Sequence, residues 1–404
     1  MQEIYEKMQV ESTERLMKNM KEISFPRLVG SENEKKAIEM IHKKYSELGY
    51  TPISERVPCS YFRANFLAAF GNIMGGILLP VSTLIYSFLP LLFIIPIIGM
   101  LAEIVMMSSG SPAFGQPPNH PKRWKIFDSE NIIAESESTG KINVIFMGHW
   151  DTKSTRLTGA QRGVCYLLML FTSLLFILIG LIGMILYYIP SANINRIILT
   201  LLWVFSIIGI VPAFILGFNK VGNLSPGACD NGTSVAIVLE CMKYFKEHPI
   251  KDVKFTYLLT TAEEIGPIGS YFFANKRKDS PQWATDKTFV INWDLAGLPG
   301  DIVVNSAIGI PKKEKAKTMM PFVSIIEKEQ GINVKNIYLP IGGWTDALSF
   351  NFFGYEGLTI SGTGAFNKVH STQDTPDIID PHNLFASFIV GAELAIKLAK
   401  LKSE

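Results

Sequence analysis

The residues best suited to chemistry lie in five short stretches. They are Gly148-His149-Trp150-Asp151, Gly227-Ala228-Cys229-Asp230-Asn231-Gly232-Thr233-Ser234, Ala262-Glu263-Glu264, Asn292-Trp293-Asp294 and His370-Ser371. Each follows or closes a run that reads as a strand, so all can converge on one sheet edge, where open α/β sheets place their sites. Asp230 is the centre of the set. It sits in a turn of small residues that opens an apolar helix over 235–245. A carboxylate there is expected to meet backbone N–H groups and the positive helix end, and so to be held ionised. An Asp in such a turn is also an ordinary helix cap.

His149 and Asp151 are two apart at a strand end and project to the same side. A His with a carboxylate near its ring is a common metal ligand with its supporting partner. Glu263 and Glu264 close the apolar run Tyr257-Leu258-Leu259. Adjacent extended positions point apart, so the two acids are expected to do different jobs. Asp294 ends another apolar strand, where an unpaired carboxylate is costly. His370 lies in a loop rich in Ser, Thr and Asp, with Asp374 a turn further on. Singly, each has an ordinary reading as a solvated acid, a helix cap or a surface His. Together, two His and three carboxylates at strand ends, with no Cys required, suit a pair of zinc-like ions sharing one carboxylate.

Such a site needs strand ends held side by side. Runs at 132–134, 144–147, 253–259, 289–293, 302–305, 334–339 and 358–361 read as strands, and 268–275, 318–327 and 381–401 as helices. This alternation predicts an α/β fold with a mostly parallel mixed sheet sandwiched by helices. Upstream, 1–21 reads as an amphipathic helix docked on the domain surface. Ser31 and Glu34 read as a capping box for a helix whose buried stripe is Ala37, Ile38, Ile41 and Tyr45, and 51–66 as strand.

Charge is nearly balanced, 38 basic against 36 acidic residues, and no basic run with interleaved aromatics points to nucleic acid. The four cysteines, Cys59, Cys165, Cys229 and Cys241, form no CxxC pair and no framework spacing, which fits a reducing compartment. The first 21 residues are highly charged and lack the apolar core of a secretory leader. Hydrophobic residues reach 48%, and the excess is packed into two blocks. From Phe66 to Met107 only Glu103 is charged, and from Val164 to Phe218 only Arg196 is. A bilayer core takes roughly 20 apolar residues per helix, so each block can hold two spans. Core helices rarely lack a polar face over such lengths.

The chain is therefore expected to consist of one globular domain over 1–65, 108–163 and 219–404, interrupted by transmembrane helical hairpins at 66–107 and 164–218. The turns are expected near 86–90 and 190–195, and the stretch 108–122, rich in Pro, Gly and Ser, reads as a linker. Arg63, Lys122, Arg123, Lys125, Arg156, Arg162 and Lys220 flank the blocks on one face, against Arg196 alone on the other. The positive-inside rule then puts the globular domain in the cytoplasm of an integral membrane protein with four transmembrane helices.

The ordered set GHWD, GACDNGTS, AEEIGPIGS, NWD and HS resembles metallopeptidase family 28, the co-catalytic zinc aminopeptidases and carboxypeptidases. The resemblance begins near Arg27-Leu28-Val29-Gly30-Ser31 and runs to about 380, interrupted by the two hairpins. It implies a zinc-exopeptidase (phosphorylase/hydrolase-like) fold, two zinc ions and a peptide substrate. It implies further that His149 and Asp294 hold one ion, Glu264 and His370 the other, and that Asp230 bridges them. Asp151 would orient His149, and Glu263 would be the general base of a metal-assisted hydrolysis. Asp230-Asn231 falls where the family has a cis peptide.

Three features depart from the family pattern. Cys229 precedes the bridging position and reads as a small filler. Gly342-Gly343-Trp344-Thr345-Asp346 carries a bulky Trp344, read as pocket wall, with Asp346 behind the site. The second hairpin is inserted between His149 and Asp230. The leading expectation is a membrane-anchored dinuclear zinc aminopeptidase acting on peptides, with the bilayer as its other partner. Alternatives are a glutaminyl-cyclase-like mono-zinc acyltransferase, a carboxypeptidase or dipeptidase of the same family, and a non-catalytic scaffold. Nothing in the sequence fixes an oligomeric state.

Overall fold

The computed structural model describes residues 2–109, 124–138, 140–189, 192–309, 311–339 and 345–401. The chain divides into two compact units. One comprises Met1–Ser60, Gly110–Ser154 and Gly222–Glu404, the other Tyr61–Ser109 and Thr155–Val221.

The first unit is built on a nine-stranded sheet: β1 (Ile53–Cys59), β2 (Phe127–Glu135), β3 (Ile142–His149), β4 (Val253–Thr260), β5 (Thr288–Trp293), β6 (Ile302–Ile308), β7 (Lys313–Glu314), β8 (Val334–Leu339) and β9 (Glu356–Gly362). Their order is β1-β2-β4-β3-β5-β9-β6-β8, with β7 beside β6. The sheet is mixed, and parallel only in part. β4, β3, β5 and β9 run parallel to their neighbours in the central block, and β8 runs parallel to β6. β1 with β2, β2 with β4, β9 with β6 and β6 with β7 are antiparallel. Parallel neighbours need crossover connections. The helices Thr233–Glu247 and Ile268–Arg277 supply them in the centre, where β3 leads to β4 and β4 to β5.

Every residue of β3 and β5 is buried, which is why both read as continuous apolar runs rather than as alternation. Phe146 on β3 is the hub of the core, its ring 5.3–5.9 Å from those of Phe245, Phe255, Tyr257 and Trp293. Burying an aromatic side chain of this kind is worth roughly 1.5–3 kcal/mol. Helices cover both faces, with Gln2–Ile23, Thr233–Glu247 and Pro381–Leu401 packed together on one, and Ile268–Arg277 with Asp346–Phe352 on the other. The N-terminal helix is docked as its amphipathic pattern predicts. Leu16 and Met20 are fully buried, and Arg15 grips buried Glu240 at 2.7 and 3.0 Å.

Two local expectations fail. The helix Asn33–Glu47 has no side-chain cap. Glu34 turns away to accept from Gly30 N–H at 2.8 Å and from the Ser129 hydroxyl, and the Ser31 hydroxyl is buried without a partner. A tertiary bond to β2 outbids the local box. The strand expected over 51–66 stops at Cys59, and Phe62–Leu67 wind into a π-helical turn that leads into the next helix. All four cysteines are free thiols, three of them buried.

The second unit contains the helices Ala68–Phe88, Ile94–Ser109, Gly159–Leu186 and Ala192–Gly217, with a 3-10 turn Pro90–Phe93. Three helical runs, Phe62–Phe88, Gly159–Leu186 and Ala192–Gly217, are long and apolar enough to cross a membrane; Pro90–Leu101 is apolar but shorter. The linker expected over 108–122 lies outside the described residues from 110 onward.

The unit's interior is a seam of helices in close contact at glycines. Gly180 lies against the Phe93 ring, Gly183 against Tyr86 and Ile198, and Gly76 against Ala213. A Cβ at any of these glycines would come within 2.6 Å of its neighbour, so glycine sets the helix spacing. The outward faces are apolar as well: Phe88, Leu167, Phe171, Ile185 and Ile207 are all more than 60% exposed. Helix Gly159–Leu186 begins five residues before the apolar block, at a capping box of Thr158 and Gln161 that the sequence carries as Thr-x-x-Gln.

Candidate metal centre

Strand register brings the site together. His149 ends β3 level with Thr260 at the end of β4, and Met147 pairs with Asn292 of β5, so Asp294 comes level with His149. Gly148 lacks a side chain because a Cβ there would stand 2.5 Å from that of Ser234, which lets the helix Thr233–Glu247 close on the strand end. Before that helix, Gly227 adopts a left-handed backbone (φ 60°), and a Cβ on it would meet Thr152 at 2.1 Å. Asp230 and Asn231 then leave helical geometry, and the peptide bond between them is cis. Asn231 ties this turn to β5, its Nδ2 donating to Trp293 O at 3.0 Å.

Six side chains converge here. Asp230 faces one imidazole with each oxygen: Oδ1 lies 3.2 Å from His149 Nε2, and Oδ2 lies 2.8 Å from His370 Nε2. His149 Nε2 is also 3.9 Å from Asp294 Oδ1 and 3.9 Å from Glu263 Oε2. His370 Nε2 is 3.2 Å from Glu264 Oε2. Adjacent Glu263 and Glu264 thus address different histidines. All six residues are buried or nearly so. His149, Asp230 and Asp294 each offer a ligand atom within 4.8 Å of the others, and so do Asp230, Glu264 and His370.

The cluster suits cations on chemical grounds. His149 Nε2 is buried among carboxylates, the nearest Asp230 Oδ1 at 3.2 Å, yet is aligned with none of them for a hydrogen bond, an arrangement that folding avoids unless something else occupies it. Four buried carboxylates around two imidazoles need compensating positive charge, and the nitrogen and oxygen donors match zinc. Cys229 is buried one residue away and belongs to neither triad.

Three further groups hold the cluster in shape. Asp151 accepts the backbone N–H groups of Glu263 (3.2 Å) and Glu264 (3.3 Å) while His149 Nδ1 stands 3.1 Å from its carbonyl and 3.5 Å from its carboxylate. The carboxylate that meets backbone N–H groups at the bridging turn is Asp374, not Asp230 as the sequence suggested. Asp374 accepts from Cys229 N at 2.7 Å and Asp230 N at 3.1 Å, which leaves Asp230 free to face the histidines. Burial pushes the Asp374 carboxyl up to about 7, with Asp230 adding to the effect.

Arg27 is fully buried and donates to the carbonyls of Trp150, Ile23, Phe25, Pro226 and Gly227, stitching the end of β3 to the bridging turn. Burial lowers it to about 10, so it keeps its charge at neutral pH. In the sequence it marks where the family resemblance begins, beside a proline, with no role of its own.

Lys153, also not singled out beforehand, pairs with Glu264 Oε2 at 2.6 Å. Burial and Asp230 push the Glu264 carboxyl up, but Lys153 and His370 outweigh them and hold it below its usual value. Burial holds the Glu263 carboxyl well above its usual range, with His149 opposing and Asp294, Glu264 and Asp346 adding to the effect. Backbone strain gathers at the same place. Of the four described non-glycine residues with positive φ, Ala262, Leu295 and His370 lie at the site, as expected where function fixes geometry against local preference.

Trp344 lies outside the described residues. Asp346 is buried behind β4, its Oδ2 accepting the Thr260 hydroxyl and its Oδ1 without a partner. Burial lifts it to about 6. A group whose folded pKa is raised holds its proton more tightly in the fold. Its stabilising contribution is complete below the ordinary Asp value and is lost as the pH rises through about 6. Asp346→Asn removes that loss. Its unfolding midpoint relative to wild type is expected to climb between about pH 4 and about pH 7, by the equivalent of up to about 3 kcal/mol. Parallel pH profiles for the two proteins contradict this.

Residues 215–394 match the model described as Peptidase family M28, a span that includes Asp230, Glu263, Glu264, Asp294 and His370. A search of curated proteins gives no match. Among solved structures, an aminopeptidase from Aneurinibacillus sp. strain AM-1 is similar at 14% identity, with 94% of this chain and 92% of that one covered and a TM-score of 0.53. BSAP, a zinc aminopeptidase from Bacillus subtilis, is similar at 12% identity over 96% of this chain and 95% of that one, with a TM-score of 0.53. A glutaminyl cyclase from Fimbriiglobus ruber is similar at 12% identity over 95% and 94%, with a TM-score of 0.52. At such identities the likeness is one of fold. Over residues 215–394 the chain therefore matches Peptidase family M28, on an α/β fold that it shares with aminopeptidases and glutaminyl cyclases.

Proposed function

We propose that the protein is a membrane-anchored dinuclear zinc aminopeptidase. The observation that carries this reading is Asp230, with one imidazole at each carboxylate oxygen and a further acid beside each imidazole. His149 and Asp294 would hold one zinc, Glu264 and His370 the other, and Asp230 both. Zinc bound there would supply Lewis acidity, making water a better nucleophile and polarising the scissile carbonyl.

The remaining work falls to the chain's own side chains. Glu263 stands 3.9 Å from His149 Nε2 and belongs to neither triad, so it is free to take a proton from water and pass it to the leaving amine. Its burial raises its proton affinity, which suits that task. Asp151 and Asn231 fix the His149 strand end and the bridging turn. Trp344 and Asp346 would shape and back the substrate pocket.

The all-round apolar helices support a bilayer anchor. In this reading Pro90–Leu101 is part of a fourth span, completing two hairpins inserted in the peptidase domain. The excess of Lys and Arg in the segments flanking the hairpins supports a cytoplasmic peptidase domain by the positive-inside rule.

A second reading, a glutaminyl-cyclase-like acyltransferase with one zinc, is supported by the shared fold. Detergent-purified protein incubated with fluorogenic aminoacyl substrates separates the two. Cleavage that is abolished by chelator and restored by zinc supports the aminopeptidase. Cyclisation of an N-terminal glutamine without cleavage supports the second reading and rejects the first.

A further inference from the structure

Lys153 puts a fixed positive charge against one triad only. Its Nζ lies 2.6 Å from Glu264 Oε2 and 3.2 Å from the Glu264 carbonyl, and its side chain is 14% exposed. Its backbone N–H separately donates to Glu264 Oε1 at 3.0 Å. Across the site no lysine or arginine forms an ion pair with Asp294 or Asp230 among the described residues. The two triads, similar in donors, therefore differ in charge.

A cation held by Asp230, Glu264 and His370 must draw on the same Glu264 oxygen that the ammonium already engages. Little water intervenes to screen the two charges from each other. An outer partner can also help a metal by orienting its ligand, and losing one commonly costs 10–100-fold in affinity. Here that help comes from the backbone N–H on Oε1, which any side chain at 153 retains. What the side chain adds is charge, and repulsion between an ammonium and a dication on one carboxylate outweighs what a single hydrogen bond gives by orienting it. Resting on the two-ion reading above, we propose that Lys153 makes the two positions unequal. The His149–Asp230–Asp294 position holds its ion as a resident, and the Asp230–Glu264–His370 position binds a divalent cation weakly enough to exchange with the surroundings. Occupancy of the second position, and activity with it, would then follow the free metal concentration.

The test is calorimetric titration of zinc into the full-length, detergent-purified, chelator-stripped protein, with a competing chelator to resolve tight binding. Wild type is expected to show two steps separated by about 100-fold or more in Kd, and Lys153→Met to tighten the weaker step by about 10-fold or more. Lys153→Arg keeps the charge and is expected to keep the separation. Two equal steps in wild type, or a weaker step that is unchanged or weakened in Lys153→Met, would overturn the proposal. Anomalous diffraction from wild type at one equivalent of zinc decides the case should Lys153→Met fail to fold. Density at His149–Asp294 supports the proposal, and density at Glu264–His370 overturns it. Fewer than two ions in wild type and both variants rejects the two-ion reading itself, a result distinct from either of these.

Discussion

Glu263→Gln is expected to lower turnover by about 10²–10⁴-fold, the range that general acid–base catalysis supplies, while zinc content stays at the wild-type value. The amide keeps the shape of the side chain and loses the ability to accept and return a proton. Glu263 belongs to neither candidate triad, and its backbone N–H is held by Asp151 regardless of what the side chain carries. Burial already disfavours the charged carboxylate, so the neutral amide is not expected to destabilise the fold. The measurement is turnover and elemental zinc on the same preparation. Retained turnover removes Glu263 from the role of base. Lost zinc would instead make it a ligand.

Asp230→Asn should have the larger effect on metal. Each Asp230 oxygen serves one triad, so neutralising this one carboxylate weakens both. Zinc affinity is expected to fall by more than the 10–100-fold that loss of a mere outer partner costs, and hydrolysis to drop to background. His149 and His370 would also lose the carboxylate that faces them, and breaking a buried charged pair commonly costs about 3–5 kcal/mol. Circular dichroism and the unfolding midpoint with and without zinc separate the two consequences. Zinc should raise the midpoint of wild type and leave that of Asp230→Asn unmoved. A variant that binds zinc as wild type does would show that Asp230 bridges nothing.

The site was legible because its chemistry is local in sequence. His149, Glu263 and Asp294 each close or follow an apolar run that reads as a buried strand, and β3, β4 and β5 do lie side by side. The parts that were not legible depend on distant partners. Nothing near Arg27 announces that its guanidinium will bond carbonyls some 200 residues away. Lys153 looks like any loop lysine until Glu264, 111 positions on, folds against it. Asp374 took the backbone N–H groups expected to go to Asp230, because the bridging turn leaves helical geometry and the carboxylate swings toward the histidines. The sheet's antiparallel outer pairs were missed for a related reason. Alternation of strands and helices reports crossovers in the centre, whereas the β1–β2 pairing joins segments that flank an apolar insertion. The Ser31–Glu34 box failed because Ser129 competed for Glu34, a contact that no local pattern encodes.

The account rests on one carboxylate serving two cations, and zinc stoichiometry tests it most directly. Full-length protein purified in detergent is to be dialysed to equilibrium against saturating zinc, and the zinc it holds above the dialysate measured by elemental analysis against amino-acid content. Two zinc ions per chain, lost together in Asp230→Asn, is the result expected. One zinc per chain, or a protein that stays metal-free in excess zinc, contradicts it.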